Sequence, residues 1–238
     1  MLPHVSDIDW PCTFRLIPSQ YAAIPFFEQV SDPGDWEDLL EVASLTDPTI
    51  RQAVGEISLV PKAQRLSSPG ATWVMSAFTH PNPQGSRFSK GAYGVYYAAD
   101  SFEGALAEVL YHRGRFHAAT QDKANNFVLR CLICTVRGSL HDLRIDHVRK
   151  QVLSAWPTIY DKDDYRQGQR LGNLLHGQGS QGIVYTSVRL STASCVALFQ
   201  PTLITPPVDP EQYVIYHWDG QTTDRYLDCR GQTWQPAP

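Results

Sequence analysis

One junction near the middle of the sequence constrains the fold more than any other stretch, because a short aromatic strand there runs directly into a capped helix. Residues 95–99 form an apolar run between Gly94 and Asp100, which is typical of a buried strand. Ser101 follows as a helix N-cap, and Glu103 lies where the helix dipole favours negative charge. The sequence therefore predicts a strand, a turn and a helix that packs back on the sheet.

The predicted helix has one apolar face, whose members recur at intervals of three and four residues: Phe102, Ala105, Leu106, Val109 and Leu110. Glu108 lies off that face, with Gly104 one turn before it and His112 one turn after it. A carboxylate in this place is either simply solvated or positioned to meet a ligand, and the helix alone leaves both interpretations open.

An arginine precedes the junction in an irregular loop. Arg87 follows the run HPNPQGS, and Tyr97 lies in the strand that comes next. An exposed loop arginine is ordinary, but a loop, a strand and a helix in succession can bring Arg87, Tyr97 and Glu108 to one end of a sheet. We therefore take these three residues as candidates for a catalytic site.

Three segments of the chain, in this order, resemble the RES domain family, which is named for its Arg, Glu and Ser. They are TFRLIPSQY at residues 13–21, SRFS and GVYYAADSFEGALAEVLYH within 86–112, and GIVYTSVR at 182–189. The resemblance implies an ADP-ribosyltransferase-like fold that binds NAD+ and breaks its nicotinamide–ribose bond. Family members are described as NAD+ glycohydrolases, NAD+ phosphorylases or protein ADP-ribosyltransferases.

The resemblance also implies a biological role, because RES domains are the toxins of RES–Xre toxin–antitoxin pairs. We expect NAD+ as the substrate, no further cofactor and no metal, and an Xre-like antitoxin as the protein partner. The oligomeric state stays open between a homodimer and a toxin–antitoxin hetero-oligomer. A different class of function also stays open, a non-catalytic interaction module in which Arg87 and Glu108 pair with each other.

The expected site residues follow from the resemblance: Glu108, Arg87 and Tyr97 for catalysis, Arg15, Arg87 and Ser187 for NAD+ binding, and His112 and Gln169 as further candidates. Arg15 lies in an apolar strand-like run, so its partner is either an internal carboxylate or the phosphates of the dinucleotide. Ser187 is either an ordinary turn or cap residue or the serine of the family. RES-like sequences often carry a small hydroxyl residue before this glutamine, whereas this chain has Gly168.

Composition excludes several other classes. A net charge of −4 and a pI near 6.0 argue against a nucleic-acid binder. The chain has no apolar run of membrane length and no leader-like start, so we expect a cytoplasmic protein. The absence of a G-x-G-x-x-G turn argues against a dehydrogenase that keeps NAD+ intact. Cys131 and Cys134 lie in a strand-like run and are predicted to be core thiols.

The predicted fold is α+β, a mixed ADP-ribosyltransferase-like sheet flanked by helices in a single domain. Residues 1–70 form an N-terminal strand and helical extension packed on the core, 71–201 the RES core, and 202–238 a tail with a strand. The patterns predict strands at 13–17, 72–79, 127–136, 183–186 and 196–199, and helices at 36–45, 49–57, 147–156 and 165–176. Residues 1–11 are predicted to be a loose start.

Overall fold

The computed structural model describes residues 1–20, 25–29, 32–148, 150–207, 212–231 and 233–238. Its helices are α1 (Phe26–Gln29), α2 (Trp36–Thr46), α3 (Thr49–Val54), α4 (Ala71–Thr79), α5 (Phe102–Thr120), α6 (Lys150–Ala155) and α7 (Arg166–Gly177). Its strands are β1 (Val5–Pro18), β2 (Tyr96–Ala99), β3 (Asn125–Asp142), β4 (Gly182–Thr186), β5 (Ser194–Leu198), β6 (Ile204–Thr205), β7 (Gln212–Trp218), β8 (Thr223–Asp228) and β9 (Trp234–Pro236). This mixture confirms the predicted α+β class.

The strands form one mixed sheet in the order β1-β2-β5-β4-β3-β7-β8-β9, with β6 also on β3. β3 and β4 run parallel, and the other pairs are antiparallel. β1 pairs with β3 along most of its length and also meets β2 at Phe14 and Ala99. The strands β1, β2, β5, β4 and β3 therefore close into a ring, and β7, β8 and β9 extend the sheet from β3.

Apolar side chains cover both faces of the ring strands. The first core lies under α1, α2 and α4 and includes Tyr96, Leu132 and Val184. The second core lies under α5, α6 and α7 and includes Leu129 and Ile183. Because each ring strand contributes side chains to both cores, the ring and its helices form a single domain, as predicted.

The long strand β3 explains the C-x-x-C sequence. Cys131 belongs to the second core and Cys134 to the first, so the two buried thiols point to opposite faces of the sheet. Burial raises the pKa of both thiols, that of Cys131 to about 11. These residues are core thiols, as predicted. Over the described ranges, no group of three or more His, Cys, Asp or Glu side chains is placed to hold a metal ion.

The predicted strand at residues 72–79 is wrong, because this segment forms helix α4. Its Val74 and Met75 are fully buried, and so is most of the helix surface. A helix that is covered on nearly all sides has no polar face, so its sequence shows no helical period, and aromatic and β-branched residues then favour a strand. Although α4 is apolar it is short, and none of the helices described has both the length and the composition to cross a bilayer.

The predicted loose start is also wrong, because β1 begins at Val5. Its outward side chains are acidic and bind the neighbouring strand β3. Asp7 accepts a hydrogen bond from the Ser139 hydroxyl at 2.6 Å, and Asp9 pairs with Arg137 at 2.8 Å. Polar side chains on the outer edge made these residues look like a loop, although the strand is held along its length by β3.

Helix α5 runs on to Thr120, and its last turns are tied to β7. The buried His117 donates from Nδ1 to Asp122 at 2.6 Å. Its Nε2 lies 2.7 Å from the Tyr216 hydroxyl, and that hydroxyl accepts from Arg113 at 3.1 Å. Both ring nitrogens of this buried imidazole thus have a partner.

Candidate active site

Helix α5 begins as predicted and carries Glu108 beside the ends of two strands. The Ser101 hydroxyl accepts the Gly104 N–H at 3.3 Å, which caps the helix. A Cβ on Gly104 would meet Ala193 at 2.6 Å, so the first turn of the helix lies against the β4–β5 loop. This close approach brings Glu108, one turn further on, next to the residues that follow β4.

Ser187 holds the Glu108 carboxylate. It follows β4 directly, is 3% exposed, and its hydroxyl donates to Glu108 Oε1 at 2.6 Å. The Ser187 hydroxyl oxygen also accepts the N–H groups of Arg189 and Leu190, both at 3.1 Å. Ser187 therefore closes a turn, as one of its two interpretations predicts, and its hydroxyl also fixes a carboxylate.

Arg87 is bound to another segment, residues 159–165. Its side chain is buried, and Nη1 donates to the carbonyls of Ile159 at 3.3 Å and Asp161 at 2.9 Å. The guanidinium carbon lies 4.5 Å from the centre of the Tyr165 ring. Backbone oxygens and one aromatic face thus hold this arginine.

Two glycines of α7 let that helix touch the backbone of the Arg87 loop. A Cβ on Gly168 would lie 2.3 Å from the Arg87 carbonyl oxygen, and one on Gly172 would lie 2.0 Å from the Phe88 carbonyl oxygen. Gln169 donates from Nε2 to the Ser86 carbonyl at 3.1 Å. Gly168 therefore replaces a small hydroxyl residue for a packing reason, and Gln169 contacts the loop.

Tyr97 also holds this loop. Its hydroxyl accepts the Phe88 N–H at 3.0 Å and lies 2.8 Å from the Ser86 hydroxyl. Burial raises the pKa of Tyr97 to about 12, although both hydrogen bonds act in the opposite direction. The phenol therefore stays protonated near neutral pH, and its oxygen is engaged with the residues on either side of Arg87.

His112 shows that the separate elements converge. Loss of solvent around the imidazole lowers its pKa, and the positive charges of Arg189, Arg87 and Arg115 act in the same direction. The Glu108 carboxylate opposes them. The imidazole thus lies within electrostatic range of charged groups from the 85–94 loop, from α5 and from the β4–β5 loop.

A family model described as the RES domain matches residues 62–219, which is more than half of the sequence. The chain belongs to the RES domain family. The match starts after β1, although the sequence motifs placed the resemblance from residue 13 onward. Glu108, Arg87, Tyr97, Ser187 and the helix α7 all lie within the matched RES domain.

Two further proteins are similar to this RES domain chain. A curated relative, the uncharacterized protein y4oC of Sinorhizobium fredii, is 25% identical over 210 residues, which cover 87% of this chain and 83% of the relative. Among solved structures, the crystal structure of the M. tuberculosis MbcT–MbcA toxin–antitoxin complex is similar with a TM-score of 0.45. It is 13% identical, and the similarity covers 90% of this chain and 87% of that chain.

The structure does not bring Arg15 into the group around Glu108. Phe14 and Leu16 pack into the second core, so Arg15, between them, points to the other face of the sheet. Its Nη1 donates to the Tyr97 carbonyl at 3.0 Å, and its guanidinium lies 4.7 Å from the centre of the Tyr96 ring. A carbonyl and an aromatic ring, rather than an internal carboxylate, are the contacts it makes here.

Arg189 is the functional candidate of this RES domain that sequence reasoning missed. Its guanidinium carbon lies 3.2 Å from the centre of the Tyr111 ring, and Nη2 donates to the Lys162 carbonyl. Tyr111 in turn donates to Asp163. The signal was present in the sequence, because Arg189 ends the GIVYTSVR motif two residues after Ser187.

Two cavities of the RES domain chain lie away from Glu108. One of about 270 Å³ is lined by α2, α3 and the residues after them, including Arg51 and Glu56. The other, of about 220 Å³, lies where residues 59–64 meet the RES core, beside the stacked rings of Tyr93 and His176. Arg87 and Arg189 both donate to carbonyls of segment 159–165, Arg87 to that of Asp161 and Arg189 to that of Lys162.

Proposed function

We propose that this RES domain protein is a toxin that consumes NAD+ by cleaving the nicotinamide–ribose bond, through hydrolysis or phosphorolysis. The observation that carries the proposal is the Glu108 carboxylate, which Ser187 holds at 2.6 Å beside an imidazole that also senses Arg87 and Arg189. A fixed anion beside several cations suits a substrate that has a cationic ring at one end and two phosphates in its middle. Family membership supports the same assignment.

The chemistry assigns Glu108 a direct role. Nicotinamide departs as a neutral molecule from a positively charged ring, so the difficult step is to stabilise the ribosyl oxocarbenium ion that remains. A carboxylate does this electrostatically or by holding a ribose hydroxyl, as in glycosidases. The Ser187 hydrogen bond orients Glu108 before the substrate arrives, so that little reorganisation accompanies the reaction.

The other candidate residues bind the substrate or position the residues that do. Arg87 is the phosphate-binding arginine, because a guanidinium matches phosphate oxygens bidentately. Tyr97 and Gln169 position the loop that carries Arg87. His112 is the acid–base candidate, because its lowered pKa favours the neutral imidazole, which can accept a proton from an attacking hydroxyl group.

A protein ADP-ribosyltransferase is the second candidate, because it uses the same NAD+ site and differs only in the acceptor. The non-catalytic alternative requires Arg87 and Glu108 to pair with each other. Within the described residues Arg87 donates to carbonyls and Glu108 accepts from Ser187, so this arrangement gives that alternative no support.

The proposed protein partner is an Xre-like antitoxin that neutralises the toxin. This proposal comes from the RES family, since the RES domains of toxin–antitoxin pairs are described with such partners. Co-expression of this chain with the product of an adjacent small helix-turn-helix gene tests it. Restored growth and an intact NAD+ pool are the expected results.

Incubation of the pure protein with NAD+ tests the activity. We expect free nicotinamide, with ADP-ribose as the second product in water, a phosphorylated ADP-ribose when inorganic phosphate is present, or labelled protein when a cell extract is added. Glu108→Gln is expected to lower turnover by at least about a hundredfold, since one fixed electrostatic group contributes this much in related chemistry. Chromatography of the products measures both outcomes.

Glu103→Gln is the matched control, because Glu103 is an exposed carboxylate on the same helix. We expect it to keep wild-type turnover. The thermal unfolding midpoint of Glu108→Gln should stay within a few degrees of the wild-type value. No nicotinamide from any of the three mixtures, or equal turnover in Glu108→Gln and the wild type, would refute the proposed activity.

A further inference from the structure

Of the two nitrogens along one edge of the Arg189 guanidinium group, only one has a hydrogen-bond acceptor among the described residues. Nε and Nη2 lie along the same edge and can together bind two oxygens of one anion. Nη2 donates to the Lys162 carbonyl, whereas Nε is buried and meets no acceptor among the described residues. A buried N–H without a partner costs free energy, so an unpaired donor at this position needs an explanation.

A phosphoryl group can accept from both Nε and Nη2 of Arg189, whereas a single carbonyl cannot. The Lys162 carbonyl has one oxygen and no net charge, so it reaches one of the two donors. A phosphoryl group has several oxygens and a negative charge, and it forms shorter and stronger hydrogen bonds with a guanidinium. The Tyr111 ring, against which the guanidinium lies, keeps its plane fixed.

We propose that Arg189 binds a phosphoryl group of the dinucleotide through Nε and Nη2, with the Lys162 carbonyl occupying half of this site when no ligand is bound. The assignment rests on the proposed function for the identity of the ligand. The same turn links Arg189 to the carboxylate, because the Ser187 hydroxyl accepts the Arg189 N–H and donates to Glu108. Ser187 therefore couples the position of Arg189 to that of the Glu108 carboxylate.

Segment 159–165 takes part in this exchange. Arg87 donates to the Asp161 carbonyl and Arg189 to the next carbonyl along the chain, that of Lys162. When a phosphoryl group takes Arg189 Nη2, the Lys162 carbonyl loses this donor.

Calorimetric titration with ADP tests the assignment without requiring NAD+ cleavage. ADP carries the two phosphates and lacks the nicotinamide, and adenosine serves as the phosphate-free comparison. Arg189→Gln should weaken ADP binding by about tenfold to a hundredfold and leave adenosine binding unchanged. Arg189→Lys keeps the charge but lacks the planar edge, so we expect an intermediate loss.

Arg115→Gln is the matched control, because it removes an equal charge from an exposed arginine that also lies near Tyr111. It should change ADP binding less than about twofold. Thermal unfolding checks that the variants are folded. If Arg189→Gln fails to fold, the comparison between Arg189→Lys and the wild type decides.

Several results would overturn the assignment: no ADP binding to the wild type, equal losses for ADP and adenosine, or equal losses in the Arg115 and Arg189 variants. Inorganic phosphate that binds through Arg189 while ADP does not would assign this edge to a free anion and overturn it too. Arg189-dependent ADP binding without NAD+ cleavage would refute the proposed function alone. NAD+ cleavage together with ADP binding that does not change in the Arg189 variants would refute this inference alone.

Discussion

His112 is the residue whose ionisation connects the candidate site to pH. Loss of solvent lowers its pKa below the ordinary value of 6.5, and three arginines act in the same direction. Between the lowered pKa and 6.5, the unfolded chain binds more protons at this position than the folded chain does. The contribution of His112 to stability is therefore complete above about pH 6.5 and is lost as the pH falls below it.

Replacing His112 tests the predicted direction of this pH dependence of stability. We expect His112→Gln to lose less free energy of unfolding than the wild type between pH 7.5 and pH 5.5, because glutamine does not take up a proton. Urea denaturation at the two pH values measures the difference. A wild-type chain that becomes more stable at pH 5.5, with the gain absent in His112→Gln, would show that the pKa of His112 is raised instead.

The arginines show what residue patterns can and cannot predict. Arg87 and Glu108 were predicted as site residues from the sequence because a loop, a strand and a capped helix follow one another and leave few ways to fold. Arg15 was chosen for lying in an apolar strand, but alternation along β1 directs it to the face of Tyr96. Arg189 was passed over although it ends the GIVYTSVR motif, because its stack on Tyr111 depends on the β4–β5 loop meeting helix α5.

At the scale of elements, helix α7 fixes the Arg87 loop through contact between main chains. Gly168→Ala would place a methyl group 2.3 Å from the Arg87 carbonyl oxygen, so the helix or the loop must move. We expect the free energy of unfolding to fall by about 1–3 kcal/mol, as for other overpacked sites. Turnover of NAD+ should fall as well, because Arg87 shifts with its backbone.

Gly177→Ala, in the last position of the same helix, is the control for this prediction. A Cβ there meets nothing within 4 Å, so helix propensity alone acts and stability should rise by up to about 1 kcal/mol. Urea denaturation measures both variants, and nicotinamide release measures their turnover. Equal stability changes in the two variants would contradict a clash at Gly168.

Elements with a clear period were predicted well, and elements without one were not. The helices at α2 and α7 and the hairpin of β4 and β5 agree with their patterns to within a few residues. Helix α4 was predicted as a strand because burial on nearly every side removes its period. The outer half of β1 was missed because its exposed residues are acidic and resemble a loop.

At the scale of the whole molecule, β1 belongs to the sheet although it precedes the matched RES domain. It covers most of one edge of β3 and closes the ring through β2. A chain shortened to residues 62–238 loses this strand and also α1 and α2, which cover the first core together with α4. We expect it to be insoluble or unfolded, because the edge of β3 and the apolar face of α4 would meet water.

The comparison is a chain that ends at residue 232 and lacks only β9, whose residues are exposed. We expect this shortened chain to stay folded and to keep NAD+ turnover. Circular dichroism and soluble yield are measured for both shortened chains. A folded, active 62–238 chain would mean that β1 is dispensable for the ring.

Because β1 pairs with β3, a delay separates the synthesis of the two strands on the ribosome. Thr13 and Cys134, which share a hydrogen bond, lie 121 residues apart in the sequence. A ribosome adds about 5–20 residues per second, so the first strand waits roughly 6–24 s before its partner is made. Throughout that interval its hydrogen-bonding edges are bare, and a nascent chain of this design depends on chaperones or on its own acidic residues to remain apart from its neighbours.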